Sequence, residues 1–197
     1  YRRVTIELRK RGFKINHKVV MRLMKEENLT CRVRMKKYRS YRGTVGTIAP
    51  NIINRNFCAV KPYEKLATDI TEFSLFGEKL YLCPLLDMYS GEIIAYSLNE
   101  RPVLELVTDM LKQGCSVIPN YAKPIIHSDQ GWHYQHRAYQ DLLSQMNYTQ
   151  SMSRKGNCLD NSMVESFFGL LKSELLYLRN FESMEDFRKQ LTEYIDY

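Results

Sequence analysis

Apolar positions recur at helical spacing at the start of the chain, at strand spacing through the middle, and at helical spacing again near the end. Over residues 1–12, Val4 and Leu8 share one face and Gly12 supplies a stop. Asn16 is a suitable N-cap for a second helix, 17–28, expected to bury Val20, Leu23 and Met24 and to expose His17, Lys18, Arg22 and Lys25. Two short helices with a tight turn between them, the second basic outside, predict a helix-turn-helix unit, although any small helical hairpin gives the same pattern. Periodicity is lost over 31–62. Strand-like runs follow at 65–73, 79–87 and 92–98, with turns at Gly77 and Ser90-Gly91; Pro84 argues for a bulge or an edge position in the second run. The rest reads as a helix at 102–113 with Pro102 in its first turn, a buried strand at 124–128, a helix at 135–146 and a strand at 148–151. A loop covers 153–160, Asp160 can cap a helix over 161–178, and another helix starts near Ser183. This β-β-β-α-β-α-β-α order predicts an α/β fold: a mixed five-stranded sheet flanked by helices, preceded by a small helical segment.

Charge sharpens the division. Residues 1–42 hold 15 Lys/Arg against 3 Asp/Glu, a formal +12, whereas residues 43–197 carry −5. A basic head on a mildly acidic body points to a polyanionic partner for the head. Arg32, Arg34, Lys36 and Lys37 lie in a run with Tyr38 and Tyr41, suited to an arm along a phosphate backbone. The expected organisation is a DNA-binding segment at 1–30, a basic linker at 31–62 and a catalytic core at 63–197. The five cysteines form no CxxC pair and no zinc-ligand spacing with the histidines, which fits reduced thiols and a cytoplasmic protein. No apolar run reaches the ~18 residues of a membrane span. The chain begins without Met and stops inside a helix-like pattern, so it reads as a fragment of a longer protein.

Three acids carry the chemistry. Asp69 lies in Ala67-Thr68-Asp69-Ile70-Thr71, Asp129 follows the apolar run ending in His127-Ser128, and Glu165 comes after 35 intervening residues on a helix-like run. Carboxylates at strand ends, with a third returned by a helix, form a hard oxygen site for two divalent metals of the kind that cuts and joins phosphodiesters. On the 161–178 helix, Asn161, Glu165 and Lys172 recur at four and seven on a face other than the apolar one, which makes Lys172 a candidate DNA contact and Asn161 either a support for the helix start and the site or a DNA contact. Arg154, Lys155 and Asn157 in the loop before it suit a DNA clamp, as do Lys18 and Arg22 on the second basic helix. His127 reads as a supporting core residue, and Ser128, Gly131 and Tyr134 as shaping the loop after Asp129. Trp132 and His133 suit substrate contact and local packing equally.

Four segments carry a resemblance: Tyr1 to Phe13 with Asn16-His17-Lys18; Thr68-Asp69-Ile70-Thr71; His127-Ser128-Asp129-Gln130-Gly131 with Tyr134; and residues 151–168 with Leu171-Lys172-Ser173-Glu174. Together they resemble the DDE superfamily of bacterial insertion-sequence transposases and retroviral integrases, nearest to transposases made by frameshifting between two reading frames. The resemblance covers nearly the whole chain, and its last segment is highly specific. It implies an RNase H-like fold and three acids as ligands of two Mg2+ ions, with Asp69 bridging them and Mn2+ able to substitute. It implies Lys172 as a contact to substrate DNA, and DNA cleavage followed by strand transfer at element ends. The implied partners are terminal inverted repeats, target DNA, further copies of the chain on DNA, and an upstream reading-frame product. Many relatives carry Trp three residues before the first acid; here that position is Leu66. The retroviral zinc-binding module is absent from this sequence. The alternatives are an RNase H-like nuclease that only hydrolyses, and a DNA-binding remnant without catalysis.

Overall fold

The computed structural model describes residues 1–29 and 46–197. They belong to two compact units, one within Tyr1–Tyr38 and one within Arg39–Tyr197. Arg32, Arg34, Lys36 and Lys37, with the first part of the expected linker, lie outside the described residues.

The first unit is a helical hairpin of α1 (Arg2–Lys10) and α2 (His17–Glu26). Asn16 caps α2 by accepting from the Lys18 N–H, and Gly12 takes φ +88° at the turn, a conformation that suits glycine. The seam between the helices is thin. Thr5 and Val20 are buried and Leu8 and Met24 half-buried, while Val4 and Leu23, the second expected inside, are exposed. Helices of 9 and 10 residues have too little facing surface to enclose both sides of an apolar stripe. Lys18 and Arg22 are exposed, Arg22 paired with Glu26 one turn on.

The second unit is a sheet covered on both faces. Its strands are β1 (Lys65–Thr68), β2 (Thr71–Leu75), β3 (Glu78–Asp87), β4 (Ile93–Asn99), β5 (Ile125–Ser128) and β6 (Thr149–Met152). Between them lie α3 (Leu104–Val117), α4 (Trp132–Gln135) and α5 (Arg137–Gln145); α6 (Ser162–Leu171) and α7 (Met184–Asp196) follow. Six strands appear where five were expected, because the first run breaks in two. Thr68↔Leu85 in β1 and Thr71↔Leu82 in β2 share one antiparallel register against β3, so Asp69 and Ile70 stand opposite Pro84 and Cys83. Proline has no N–H to give a ladder, and the chain leaves the sheet there with Asp69 at the break. Pro84 itself sits in a central strand, paired with Tyr96 of β4, and the bulge falls one step on, between Leu85 and Leu86.

On β3's other side lies β4; beyond β1, β5 and then β6 add in parallel. One face packs Leu66, Leu85 and Ile126 against Leu106, Met110, Tyr139 and Leu143. The other packs Ala67, Leu82 and Phe73 against Val164, Phe168, Leu171, Phe187 and Leu191. Burial on both faces explains why β3 reads as an unbroken apolar run rather than an alternating one. The third helix starts at Leu104, so Pro102 precedes it instead of filling its first turn. The expected helix over 161–178 is α6 continued by a π-helical turn over Lys172–Leu176.

Residues 46–58 do not form free linker. They run as a strap over the end of β6: the Met152 N–H donates to the Pro50 carbonyl (3.3 Å), and the Ile52 and Ile53 N–H groups donate to Ser151 Oγ (2.9 and 3.3 Å). Lys65 Nζ holds the strap's far end through the carbonyls of Asn56 and Cys58. Among the described residues, no helix is long and apolar enough to cross a membrane.

Candidate active site

Two acids meet because two parallel strands end together. Ala67 of β1 pairs with His127 of β5, so Asp69 and Asp129, each two residues further on, leave the sheet level with one another at its C-terminal edge. This edge is where an open α/β sheet offers ligand space. Both are half-buried. Asp129 is pinned by the Gly131 N–H, which donates to Oδ1 at 2.8 Å. A Cβ at Gly131 would stand 2.9 Å from that oxygen, so a larger residue there would push the Asp129 carboxylate aside. Asp69 accepts from the Ile70 N–H at 2.7 Å.

The electrostatics are strained in one direction. Burial, then the negative charge of Asp129 and, more weakly, of Glu165, hold the Asp69 carboxyl well above the usual carboxylate range; the Ile70 N–H and the Lys172 ammonium oppose the rise. Burial also raises Asp129, against the Gly131 N–H and the charge of His133, and raises Glu165. Glu165 stands exposed in the first turn of α6. Lys172, two turns on, is half-buried with its Nζ 5.9 Å from the ring centres of Phe73 and Phe168. Burial lowers its pKa and the Asp69 charge raises it. The structure thus gathers Asp69, Asp129, Glu165 and Lys172 into one electrostatic neighbourhood.

Do these groups fit divalent metal? Three oxygen donors with raised pKa values and one nearby cation make a negative site short of counter-charge, which a divalent cation would relieve. Among the described residues, no three His, Cys, Asp or Glu side chains are drawn tightly enough to enclose an ion. An open set suits Mg2+, which keeps several waters and takes one or two carboxylates rather than a full protein cage. The donors fit a hard, hydrated cation.

Behind the acids the packing is polar and buried. Thr68, Cys83 and Tyr134 group their side-chain heteroatoms at 3.4–3.7 Å beneath Asp69, and burial pushes the Cys83 thiol up to about 12, so it stays protonated. His127 is buried, as expected. Its Nε2–H donates to the Asp160 carbonyl (2.8 Å), which leaves Nδ1 to accept from the Ser151 hydroxyl (2.9 Å). Burial lowers its pKa, consistent with the neutral ring. His133 donates to the Pro102 carbonyl at 2.8 Å and stacks on half-buried Trp132, so packing accounts for the histidine.

The DNA-contact candidates divide. Lys155 is exposed and Asn157 half-buried. Arg154 is committed to Asp160 through Nε (2.8 Å) and Nη2 (3.0 Å). Asn161 is a correction as a DNA contact but not as a support: its side chain is buried and its Nδ2 donates to the Thr68 carbonyl at 3.5 Å, so it ties the start of α6 to β1. Asp160 is a second correction. It does not cap α6; it lies in a 3-10 turn (Cys158–Asn161), and its side chain is drawn inward by Arg154, Arg55 and Asn51. Sequence reasoning missed this cluster. Arg154 and Asp160, six apart in one loop, were a readable ion-pair signal; Asn51 and Arg55, over a hundred residues away, were not.

Models of the integrase core domain match residues 59–158 and 146–197, and a model of an HTH-like domain matches residues 1–37. The InsK protein for insertion sequence element IS150 of Escherichia coli K12 is 51% identical over 197 residues, all of this chain and 70% of that protein. The transposase for insertion sequence element IS904 of Lactococcus lactis is 34% identical over 195 residues, 98% of this chain and 77% of that protein. The magnesium-bound HTLV-2 integrase catalytic core shares the fold, with a TM-score of 0.53 at 18% identity over 70% of this chain and 86% of that one.

Proposed function

The chain belongs to the insertion-sequence transposases built on an integrase core, and from that premise we propose that it cleaves DNA at the ends of its element and joins them to a target, with Asp69, Asp129 and Glu165 as catalytic metal ligands. The observation that carries this reading is the pairing of Ala67 with His127. It delivers Asp69 and Asp129 side by side at the open edge of the sheet, where the charges of Glu165 and Lys172 also act.

Two Mg2+ ions, or Mn2+ in their place, would supply the Lewis acidity that activates the attacking oxygen and stabilises the leaving one. The chain's own residues supply the geometry. Asp69, which feels the charges of both other acids, would hold the metal together with them. Asp129, pinned by the Gly131 N–H, offers its other oxygen. Glu165, exposed at the start of α6, closes the set from the substrate side. Lys172 has no lone pair to give a metal; its ammonium, raised over Phe73 and Phe168, meets a phosphate near the scissile bond. With no nucleophile of the chain involved, attack on phosphorus is direct and in line, and no covalent protein–DNA intermediate forms. In cleavage, water attacks the phosphorus and the 3′-oxygen of the element end leaves as a free hydroxyl; that hydroxyl then attacks a target phosphorus, forming a new phosphodiester as the target strand's own 3′-oxygen leaves.

Residues 1–30 serve as the DNA-binding segment with Lys18 and Arg22 outward; Arg32, Arg34, Lys36 and Lys37 supply a basic arm; Lys155 and Asn157 flank the DNA at the core. Multiple copies assemble on paired element ends, together with an upstream reading-frame product, in the cytoplasm. The test is incubation of labelled element ends with the full-length protein and Mg2+. Strand-transfer products are expected, and Asp69→Asn, Asp129→Asn and Glu165→Gln should abolish cleavage and joining while DNA binding persists. Full activity in any one variant refutes that residue's role; hydrolysis without joining refutes the transposition chemistry.

A further inference from the structure

We infer that Asp160 and Asn161 form a positioning hub that sets the third acid against the first two, and that the strap ahead of the sheet holds this hub in place through Arg55 and Asn51. The inference rests on the metal-site reading of Asp69, Asp129 and Glu165.

Two adjacent residues reach both acid-bearing strands. The Asp160 carbonyl accepts from His127 Nε2 at 2.8 Å, two residues before Asp129. The Asn161 side-chain amide donates to the Thr68 carbonyl at 3.5 Å, one residue before Asp69. Both are buried. Glu165 follows Asn161 by four, one helical turn, so whatever fixes 160 and 161 fixes where Glu165 emerges. α6 has no side-chain cap of its own to do this.

What fixes them is the Asp160 carboxylate, whose side chain is fully buried. Its Oδ1 accepts from Arg55 Nε (2.8 Å) and Arg154 Nη2 (3.0 Å). Its Oδ2 accepts from Asn51 Nδ2 (3.0 Å), Arg154 Nε (2.8 Å) and the Arg154 N–H (3.1 Å). Arg154 comes from the same loop and cannot place that loop in space. Arg55 and Asn51 come from the strap, which is bound independently to β6 through Ser151, the same hydroxyl that donates to His127. The hub therefore closes a ring: strap to Asp160, Asp160 to β5, Asn161 to β1, and β5 back to the strap. Groups bonded directly to a metal ligand typically change metal affinity or activity ~10–100-fold when removed; the hub acts one step further out, so the lower end of that range is expected.

The test needs no catalysis. Trp132, the chain's single tryptophan, lies three residues from Asp129, so Mn2+, a paramagnetic quencher, reads the site by quenching its fluorescence. The full chain is titrated with Mn2+ as wild type, Arg55→Met, Arg55→Lys, Asn51→Ala and the control Asp69→Asn, each with a circular-dichroism melt. Arg55 is exposed apart from its bond to Asp160, so its replacement leaves the core intact. Arg55→Met should bind Mn2+ roughly 10-fold more weakly while fully folded at the titration temperature. Asn51→Ala should move the same way, and Arg55→Lys should recover part of the loss. Wild-type Mn2+ affinity in folded Arg55→Met and Asn51→Ala overturns the hub, as does a loss that only tracks the unfolded fraction. If Asp69→Asn is quenched like wild type, the metal-site reading fails and the hub with it.

Discussion

Replacing Asp69 by Asn should stabilise the metal-free protein while destroying its activity. Asp69 and Asp129 leave neighbouring parallel strands side by side, and such strands lie about 4.8 Å apart. Two negative charges about 5 Å apart repel by ~3 kcal/mol at an effective dielectric of about 20, and by ~0.8 kcal/mol in bulk water. Both groups are half-buried, so the repulsion lies between these limits. Losing the attraction to Lys172 takes back part of the gain. The net relief is roughly 1–2 kcal/mol, or a melting rise of about 2–8 °C for a chain of this size. Asparagine keeps an oxygen for the Ile70 N–H, so that bond is retained. The pH dependence has a definite sign. The folded-state pKa of Asp69 is raised, so its charge costs stability above that raised value, and the cost disappears as pH falls toward the unfolded value near 4. Melts in EDTA at about pH 7.5 should therefore separate variant from wild type, and the gap should narrow at about pH 4.5. Mg2+ should reverse the order, because a ligand at 100 times its Kd adds about 2.7 kcal/mol to the protein that binds it. An Asp69→Asn protein that melts at or below wild type in EDTA at neutral pH would refute the claim that these acids are held together against their repulsion.

Lys172→Ala should slow strand transfer and leave Mn2+ binding in place, with Lys172→Arg retaining more function because the charge survives; wild-type joining by the alanine variant would reduce Lys172 to a packing residue over Phe73 and Phe168. A chain starting at residue 46 should lose most salt-dependent affinity for duplex DNA, since the +12 charge lies in residues 1–42, and its log–log salt slope should be shallower than the full chain's; an equal slope would sink this. A chain starting at residue 60 should in addition melt lower than one starting at 46, because it loses Ile53, buried to 3% exposure and worth ~1.5–3 kcal/mol. Equal melting of the two shortened chains would show that the strap contributes nothing to the core.

The sheet was legible wherever a strand's apolar run is set by its own residues. The apolar runs of β3, β4 and β5 follow from local pattern, and their ends fell within a residue or two of 79–87, 92–98 and 124–128. The break in the first run was not legible, because it depends on a proline fifteen residues away standing opposite Asp69 in the paired register. The same distinction separates the acids from their supports. Asp69, Asp129 and Glu165 stand out as candidates from local context, whereas Asn51 and Arg55 look like ordinary polar residues of an irregular segment until the fold brings them to Asp160.

Asp160 shows why local rules misassign such residues. An Asp just before a helix is, on local grounds, an N-cap, worth about 1 kcal/mol. Here two guanidinium groups offer charge-assisted bonds, each roughly twice as strong as a neutral one. They hold its carboxyl well below the ordinary aspartate range, Arg154 first, then Arg55, despite burial. The stronger partners win the side chain, the helix start goes without a side-chain cap, and the 3-10 turn over Cys158–Asn161 delivers the backbone to α6 instead. A residue whose local role is to begin a helix thus ties the start of that helix to β5 through its carbonyl, while its neighbour Asn161 reaches β1.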